Sequence, residues 1–222
     1  MSPELDFDVP SFGLDLDRVV AYSTADQPIV GRLFVPLETS VWGAYQSWTD
    51  AARIAAVELT ATTRWTDIRA AATQRAFEVG RPQVGTINRQ AILTLASVLG
   101  KVVSDTRQTR FALWSGYGGE IDAALREEIR QIPKRDRGSF LSDGSYVAIQ
   151  RDIDWAVGRS LEAGFRFPVA MWSPTLDFIV AAPIYQDSYY VTCGSEIFEG
   201  LRAGGLEVLE IDRELVLPSE GD

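Results

Sequence analysis

The last quarter of the chain, residues 172–212, constrains the fold more than any other stretch. Residues 176–182 and 188–193 are rich in Val, Ile, Tyr and Phe, the side chains that fit a pleated, half-buried strand. The five residues between them, 183–187, have the length of a hairpin connection. The sequence therefore predicts that these two strands pair as a hairpin.

A helix and a third strand are predicted to follow this hairpin. Ser195 is placed to cap the helix, and Gly204 and Gly205 are placed to end it. Residues 206–211 alternate between apolar and polar side chains, which is typical of a strand with one face in water. Strand, strand, helix and strand together indicate a sheet packed on a helix.

The upstream sequence adds further elements of the same kind. The strand candidates are residues 14–22, 29–35, 41–48, 111–114 and 145–150, of which the first two are predicted to pair. The helix candidates are residues 51–59, a segment capped by Thr66, a segment capped by Asn88, residues 120–131 and a short helix from residue 152. In the helix after Asn88, apolar side chains recur every three or four residues and form one stripe.

The predicted fold class is therefore α+β, with a mixed, largely antiparallel sheet packed against several helices. We expect a single domain over residues 12–213. Residues 1–11 are acidic and contain two prolines, so they are predicted to be a flexible arm, and residues 214–222 are predicted to be a polar tail.

The charge balance limits the classes of partner. The chain has 222 residues and a formal net charge of −10, which repels nucleic acid and anionic lipid surfaces and favours a basic protein partner. The lone Cys193 cannot form an internal disulfide, and neither a secretory signal nor a run of 18 apolar residues is visible. We therefore expect a cytoplasmic protein that binds no nucleic acid and no membrane.

The absence of histidine limits the chemistry. Histidine is the usual general base near neutral pH and the commonest metal ligand, and this chain has none. We expect no cofactor, no metal and no catalytic residue. The alternative is an enzyme that uses Asp152, Asp154 and Asp177, although Asp152 and Asp154 do not complete a calcium loop and acidic residues are favoured in a first helical turn anyway.

A glycine-rich run at residues 115–119 precedes the predicted helix at 120–131. Glycines before a helix can hold phosphate, but this spacing fits neither the dinucleotide fingerprint nor the P-loop, and Glu120 and Asp122 would repel an anion. We expect a tight turn, with a ligand-binding loop at Gly116–Gly119 as the alternative.

Several short motifs are spread over residues 29–211. They are RLFVP at 32–36, AY at 44–45, RWTDI at 64–68, FALWSGYG at 111–118, SP at 173–174, YYVTCGS at 189–195 and LE at 206–207. Together they resemble a family of uncharacterised cytoplasmic proteins of high-GC Gram-positive bacteria. The resemblance implies an α+β fold and no catalytic residue to carry over. This chain departs from the family pattern because it lacks a Trp-Trp-Pro segment and has residues 46–50 in place of the family's histidines.

These observations favour a binding protein over an enzyme. The most concrete hypothesis is an immunity protein that neutralises a toxin in the cytoplasm by masking its active site, with Tyr185, Asp187, Tyr189 and Glu196 as partner-binding residues. Tyr189 and Tyr190 point to opposite faces of a strand, so one of them is expected in the core. A further alternative is a structural or phage-related assembly protein that self-associates through residues 206–211.

Overall fold

A computed structural model describes most of the chain from Gln27 to Leu215. The described residues are 27–41, 44–82, 89–103, 105–114, 127, 130–131, 137–139, 146–159, 167–181 and 187–215. The predicted arm at 1–11, the strand candidate at 14–22, Trp42, Asn88, the Gly116–Gly119 turn, most of the helix candidate at 120–131 and Tyr185 lie outside them, as does all but Glu214 and Leu215 of the predicted tail.

The described elements occur in runs of strands and runs of helices along the chain. The strands are β1 Ile29–Phe34, β2 Leu37–Glu38, β3 Tyr45–Gln46, β4 Thr109–Trp114, β5 Arg137–Ser139, β6 Tyr146–Arg151, β7 Ala170–Trp172, β8 Phe178–Ala181, β9 Ser188–Cys193 and β10 Glu207–Glu210. The α-helices are α1 Trp48–Ala55, α2 Trp65–Gln74, α3 Arg89–Val102, α4 Ile153–Arg159 and α5 Ser195–Ala203.

Eight of the described strands form one sheet. Their order is β10-β1-β9-β8-β7-β4-β6-β5, and each pairing is antiparallel. The predicted hairpin is β8–β9, in which Val180 faces Val191. Both edges of β1 are occupied, by β9 and β10, so no free edge remains there for the predicted partner at residues 14–22. The α+β prediction is confirmed.

The two faces of the sheet are covered by different helices. In β1, Leu33 belongs to the main core with α3, α4 and α5, whereas its neighbour Phe34 packs with α1 and α2 on the opposite face. The two residues differ because successive side chains along a strand point to opposite faces of the sheet. The apolar stripe of α3 is confirmed, since Ile92, Leu95 and Leu99 are buried in the main core.

Gly31 lets α5 approach the sheet closely. A Cβ at this position of β1 would lie 2.7 Å from Phe198 Cε2 and 3.1 Å from Val208 Cγ1. Such contacts are too short for any larger side chain. The ring of Phe198 therefore packs directly on the backbone of β1 at Gly31. The close contact fixes α5 over the β1–β10 pair.

The predicted helix start at residue 51 and the predicted caps at residues 66 and 195 are each displaced by one to three residues. α1 begins at Trp48, where Ser47 is the cap and its Oγ accepts a hydrogen bond from Asp50 N at 3.0 Å. α2 begins at Trp65, so Thr66 lies inside it, and α5 begins at Ser195 itself with Gly194 as the cap. Carboxylates distant in sequence also accept hydrogen bonds at both starts, that of Glu207 at α1 and that of Asp187 at α2, and local patterns do not reveal these two contacts.

Candidate protein-binding groove

The residues predicted to bind a partner do not form one exposed surface. Tyr185 lies outside the described residues, Asp187 is 5% exposed and Tyr189 is 4% exposed. Glu196 is exposed in the first turn of α5. The prediction that Asp187 and Tyr189 contact a partner is therefore corrected, because their side chains are inside the protein.

Asp187 is buried because it pairs with a cation from β1. Arg32 Nη2 donates to Asp187 Oδ1 at 2.8 Å, and Ser188 Oγ donates to the same oxygen at 2.8 Å. The other oxygen, Oδ2, accepts from Trp65 N at 3.3 Å, at the start of α2. A buried carboxylate needs such partners, since an unpaired charge in a protein interior is costly.

Arg32 uses its remaining donors to hold the connection between α1 and α2. Its Nη1 donates to Ala61 O at 2.9 Å and Thr63 O at 2.8 Å, and its Nε donates to Ser188 Oγ at 2.9 Å. The guanidinium also lies 4.6 Å from the ring centroid of Phe34. Arg32 therefore ties the unit made by α1 and α2 to the main sheet.

Tyr189 belongs to the main core. Its ring meets the ring of Phe167 edge-on, with 5.1 Å between centroids. Tyr190 points to the other face of the sheet and is buried there. Both tyrosines are therefore buried, where one was expected in the core and the other on the surface.

The three carboxylates of the enzyme alternative have separate local roles. Asp152 Oδ1 accepts a hydrogen bond from Asp154 N at 3.0 Å at the start of α4, and Asp154 itself is exposed. The Asp177 carboxylate is hydrogen-bonded by Thr175 Oγ1, and Asp177 N donates to Ser173 Oγ at 2.7 Å.

Asp152 and Asp177 also stand well apart on the sheet. Asp152 follows β6 and Asp177 precedes β8, and β4 and β7 lie between those strands. At about 4.8 Å per strand, the three steps separate these positions by about 14 Å. The three residues therefore do not converge into one acid–base site.

The described residues contain no group of three or more His, Cys, Asp or Glu side chains placed to hold a metal ion. None of their helices has the length and apolar character needed to cross a membrane.

An open cleft, here called the hairpin groove, lies between the β2–β3 hairpin, α1 and residues 78–80. It is lined by residues 39–40, 45–46, 50, 53–54 and 78–80 and has a volume of about 460 Å³. This volume falls within the roughly 300–1,000 Å³ typical of ligand-binding clefts. The groove is the strongest candidate for a binding site among the described residues.

One wall of the hairpin groove is a segment docked on the β2–β3 hairpin. Glu38 and Arg81 exchange two backbone hydrogen bonds, of 2.8 and 2.9 Å, and Gly80 N donates to Gln46 Oε1 at 2.8 Å. A Cβ at Gly80 would lie 2.8 Å from Leu37 Cβ and 2.9 Å from Glu38 O. Only glycine therefore allows this close approach, which preforms the wall.

The other wall is the exposed side of α1. Arg53 Nη2 donates to Asp50 Oδ1 at 3.0 Å, and Ser47 Oγ donates to Asp50 Oδ2 at 2.9 Å. These hydrogen bonds, that from Arg53 first, hold the pKa of Asp50 below its ordinary value. Asp50 therefore remains a carboxylate at neutral pH, with Arg53 as its counter-ion.

The start of α1 is fixed by a carboxylate from the edge of the main sheet. Glu207 of β10 accepts hydrogen bonds from Trp48 N and Thr49 N, each at 2.8 Å. A negative charge at a helix N-terminus is favourable because the free amides and the helix dipole both attract it. The groove wall therefore rests on the main sheet through Glu207.

One exposed large apolar side chain lines the hairpin groove, and two others are chain neighbours of lining residues. Among the described residues, the large apolar side chains that remain exposed are Val41 at 66%, Tyr45 at 49% and Phe77 at 55%. Tyr45 lines the groove, and Val41 and Phe77 are the chain neighbours of the lining residues Ser40 and Glu78. Sequence reasoning missed this site, and the signal available was an aromatic side chain in the short strand β3 and another in the loop after α2.

A second groove lies between α3 and α5 and contains Glu196. Its lining includes Leu93, Lys101 and Glu196, and its volume is about 540 Å³. The charges of Lys101 and Glu196 cancel, so the lining of this groove has no net charge. None of the three exposed large apolar residues lines it, so it is the weaker candidate.

The strand predicted to mediate self-association, β10, does lie at an edge of the described sheet. It carries an exposed charge at Glu210, and its Glu207 is engaged with α1. Charged side chains on an edge strand discourage pairing with another chain. The hairpin groove is therefore favoured over the edge of β10.

Comparison with protein-family models, with curated proteins and with solved structures finds no match.

Proposed function

We propose that this protein binds another protein through the hairpin groove, and that it acts as an immunity protein that neutralises a toxin by covering it. The observation that carries the proposal is the exposed ring of Tyr45 in a preformed groove, flanked in sequence by the exposed side chains of Val41 and Phe77. Exposed aromatic side chains are the residues that most often anchor protein interfaces.

The charge of the chain supports a basic partner. A net charge of −10 speeds association with a basic protein and slows association with acidic competitors. The proposed place of action is the cytoplasm, where a lone thiol such as Cys193 stays reduced.

Masking requires no chemistry from the protein itself. The three candidate carboxylates are bound in separate turns and caps, as described above. Binding alone is sufficient for neutralisation when the toxin's active site is covered. The proposal therefore assigns no catalytic residue and no cofactor.

The test is co-expression with the product of the gene next to this one. We expect that product to arrest growth when expressed alone, and we expect growth and a 1:1 complex on gel filtration when both are present. The double variant Tyr45→Ala, Phe77→Ala should lose the complex and the protection, because truncation of an anchoring aromatic residue typically costs binding tenfold or more, about 1.4 kcal/mol.

The matched control is Glu196→Gln, an exposed change in the second groove. It should bind and protect like the wild type. A neighbouring product that is harmless contradicts the immunity role. A complex that survives loss of both aromatic side chains contradicts the assignment of the surface.

A further inference from the structure

The lining of the hairpin groove has an aromatic side chain and more negative than positive charges. Tyr45 contributes an exposed ring, and the half-buried side chains of Ile54 and Val79 contribute apolar surface. Two carboxylates and one cation also line it, from Asp50, Glu78 and Arg53. The lining therefore carries one uncompensated negative charge.

That charge belongs to Glu78. Arg53 is already paired with Asp50 at 3.0 Å, and within the described part of the chain no ion pair joins Glu78 to a cation. Glu78 is exposed at the wall formed by residues 78–80, and it follows the exposed Phe77 in sequence. A bound cation would thus find a carboxylate and the ring of Tyr45 in the same groove.

An arginine fits this combination better than a lysine. Its planar guanidinium can donate two parallel hydrogen bonds to a carboxylate and can also stack on an aromatic ring. A neighbouring aromatic or aliphatic side chain would cover Ile54 and Val79, and a volume of about 460 Å³ accommodates such a short segment.

We propose that the hairpin groove receives a short segment of the partner protein in which an arginine stands beside an aromatic or aliphatic residue. This inference depends on the proposed protein-binding function and specifies what that function recognises. Glu78 binds the guanidinium, Tyr45 provides the ring for stacking, and the neighbouring apolar residue lies on Ile54 and Val79.

The experiment is an NMR titration of the ¹⁵N-labelled full chain with three blocked tetrapeptides, acetyl-Ala-Arg-Trp-Ala-amide and the same peptide with Glu or Ala in place of Arg. We expect the arginine peptide to shift the amide signals of residues 39–41, 44–54 and 77–80. The glutamate peptide should bind more weakly than the alanine peptide, because Glu78 repels it.

Two variants of Glu78 test whether its charge selects the peptide. Glu78→Gln should weaken the arginine peptide about two- to five-fold, which is the usual strength of an exposed ion pair, and should leave the alanine peptide unchanged. Glu78→Arg should reverse the preference towards the glutamate peptide. Glu196→Gln, in the second groove, should change neither.

Equal binding of the three peptides, or shifts confined to α3 and α5, would overturn the inference. The results also distinguish a failure of this inference from a failure of the proposed function. If the peptides fail but the neighbouring gene's product still binds in a manner sensitive to Tyr45→Ala, the arginine specificity is wrong and the protein-binding role stands. If the peptides bind and that product does not, the specificity stands and the immunity role fails.

Discussion

Replacement of Arg32 by methionine should be among the most damaging single changes in this protein. Methionine keeps most of the apolar stem but removes the guanidinium, which donates to Asp187, Ser188 and two backbone carbonyls. Asp187 is then left buried without its cation. Breaking a buried ion pair in this way typically costs about 3–5 kcal/mol.

This loss can be measured as a free energy by urea unfolding and as a change in Tm by thermal unfolding, each followed by tryptophan fluorescence. For a chain of this size each kcal/mol lowers Tm by about 2–4 °C, so we expect a fall of about 6–20 °C. Arg32→Lys should recover only part of the loss, because an ammonium cannot reproduce the forked geometry of the guanidinium.

The matched control is Arg53→Met, which breaks an ion pair between side chains that are 73% and 56% exposed. This change should leave the unfolding midpoint unaltered, since exposed pairs contribute little. If Arg32→Met is no more destabilising than Arg53→Met, Arg32 does not tie the α1–α2 unit to the sheet.

Three further changes test other contacts by the same unfolding measurement. Glu207→Gln should destabilise by about 1 kcal/mol, because an amide can accept only one of the two hydrogen bonds at the start of α1, whereas Glu210→Gln should be silent. Gly80→Ala should cost about 1–3 kcal/mol through contact with Leu37 and Glu38, while Gly100→Ala, where a Cβ meets nothing within 4 Å, should stabilise by about 0.5–1 kcal/mol. Burial raises the pKa of Cys193 from 9.0 to about 12, so above pH 9 the unfolded chain loses a proton that the folded chain retains, and stability should fall by up to about 1.4 kcal/mol per pH unit relative to Cys193→Ala. Equal pH slopes for wild type and Cys193→Ala would contradict the burial of a neutral thiol.

Elements defined by local periodicity could be predicted from the sequence. The β8–β9 hairpin and the stripe of α3 follow from β-branched and aromatic runs and from apolar spacing of three and four. Such patterns need no knowledge of distant residues. They also gave the strand β10, but not its pairing with β1, which lies about 180 residues away in sequence.

The polar contacts that fix α1 and α2 could not be predicted in this way. Asp187 is the last residue of the predicted hairpin connection and was expected to be an exposed acid, because the sequence does not reveal its pairing with Arg32, 155 positions away. Glu207 has the alternation of a strand residue, and its role at the start of α1 depends on tertiary contact alone. The hairpin groove was missed for the same reason, since its three wall segments are not contiguous.

Protein binding at the hairpin groove is tested most directly by hydrogen–deuterium exchange of the full chain, alone and in complex with the neighbouring gene's product. We predict slower amide exchange on binding in residues 39–41, 44–54 and 77–80, and unchanged exchange in α3 and α5. Protection confined to α3 and α5, with the groove exchanging as in the free protein, would contradict the assignment.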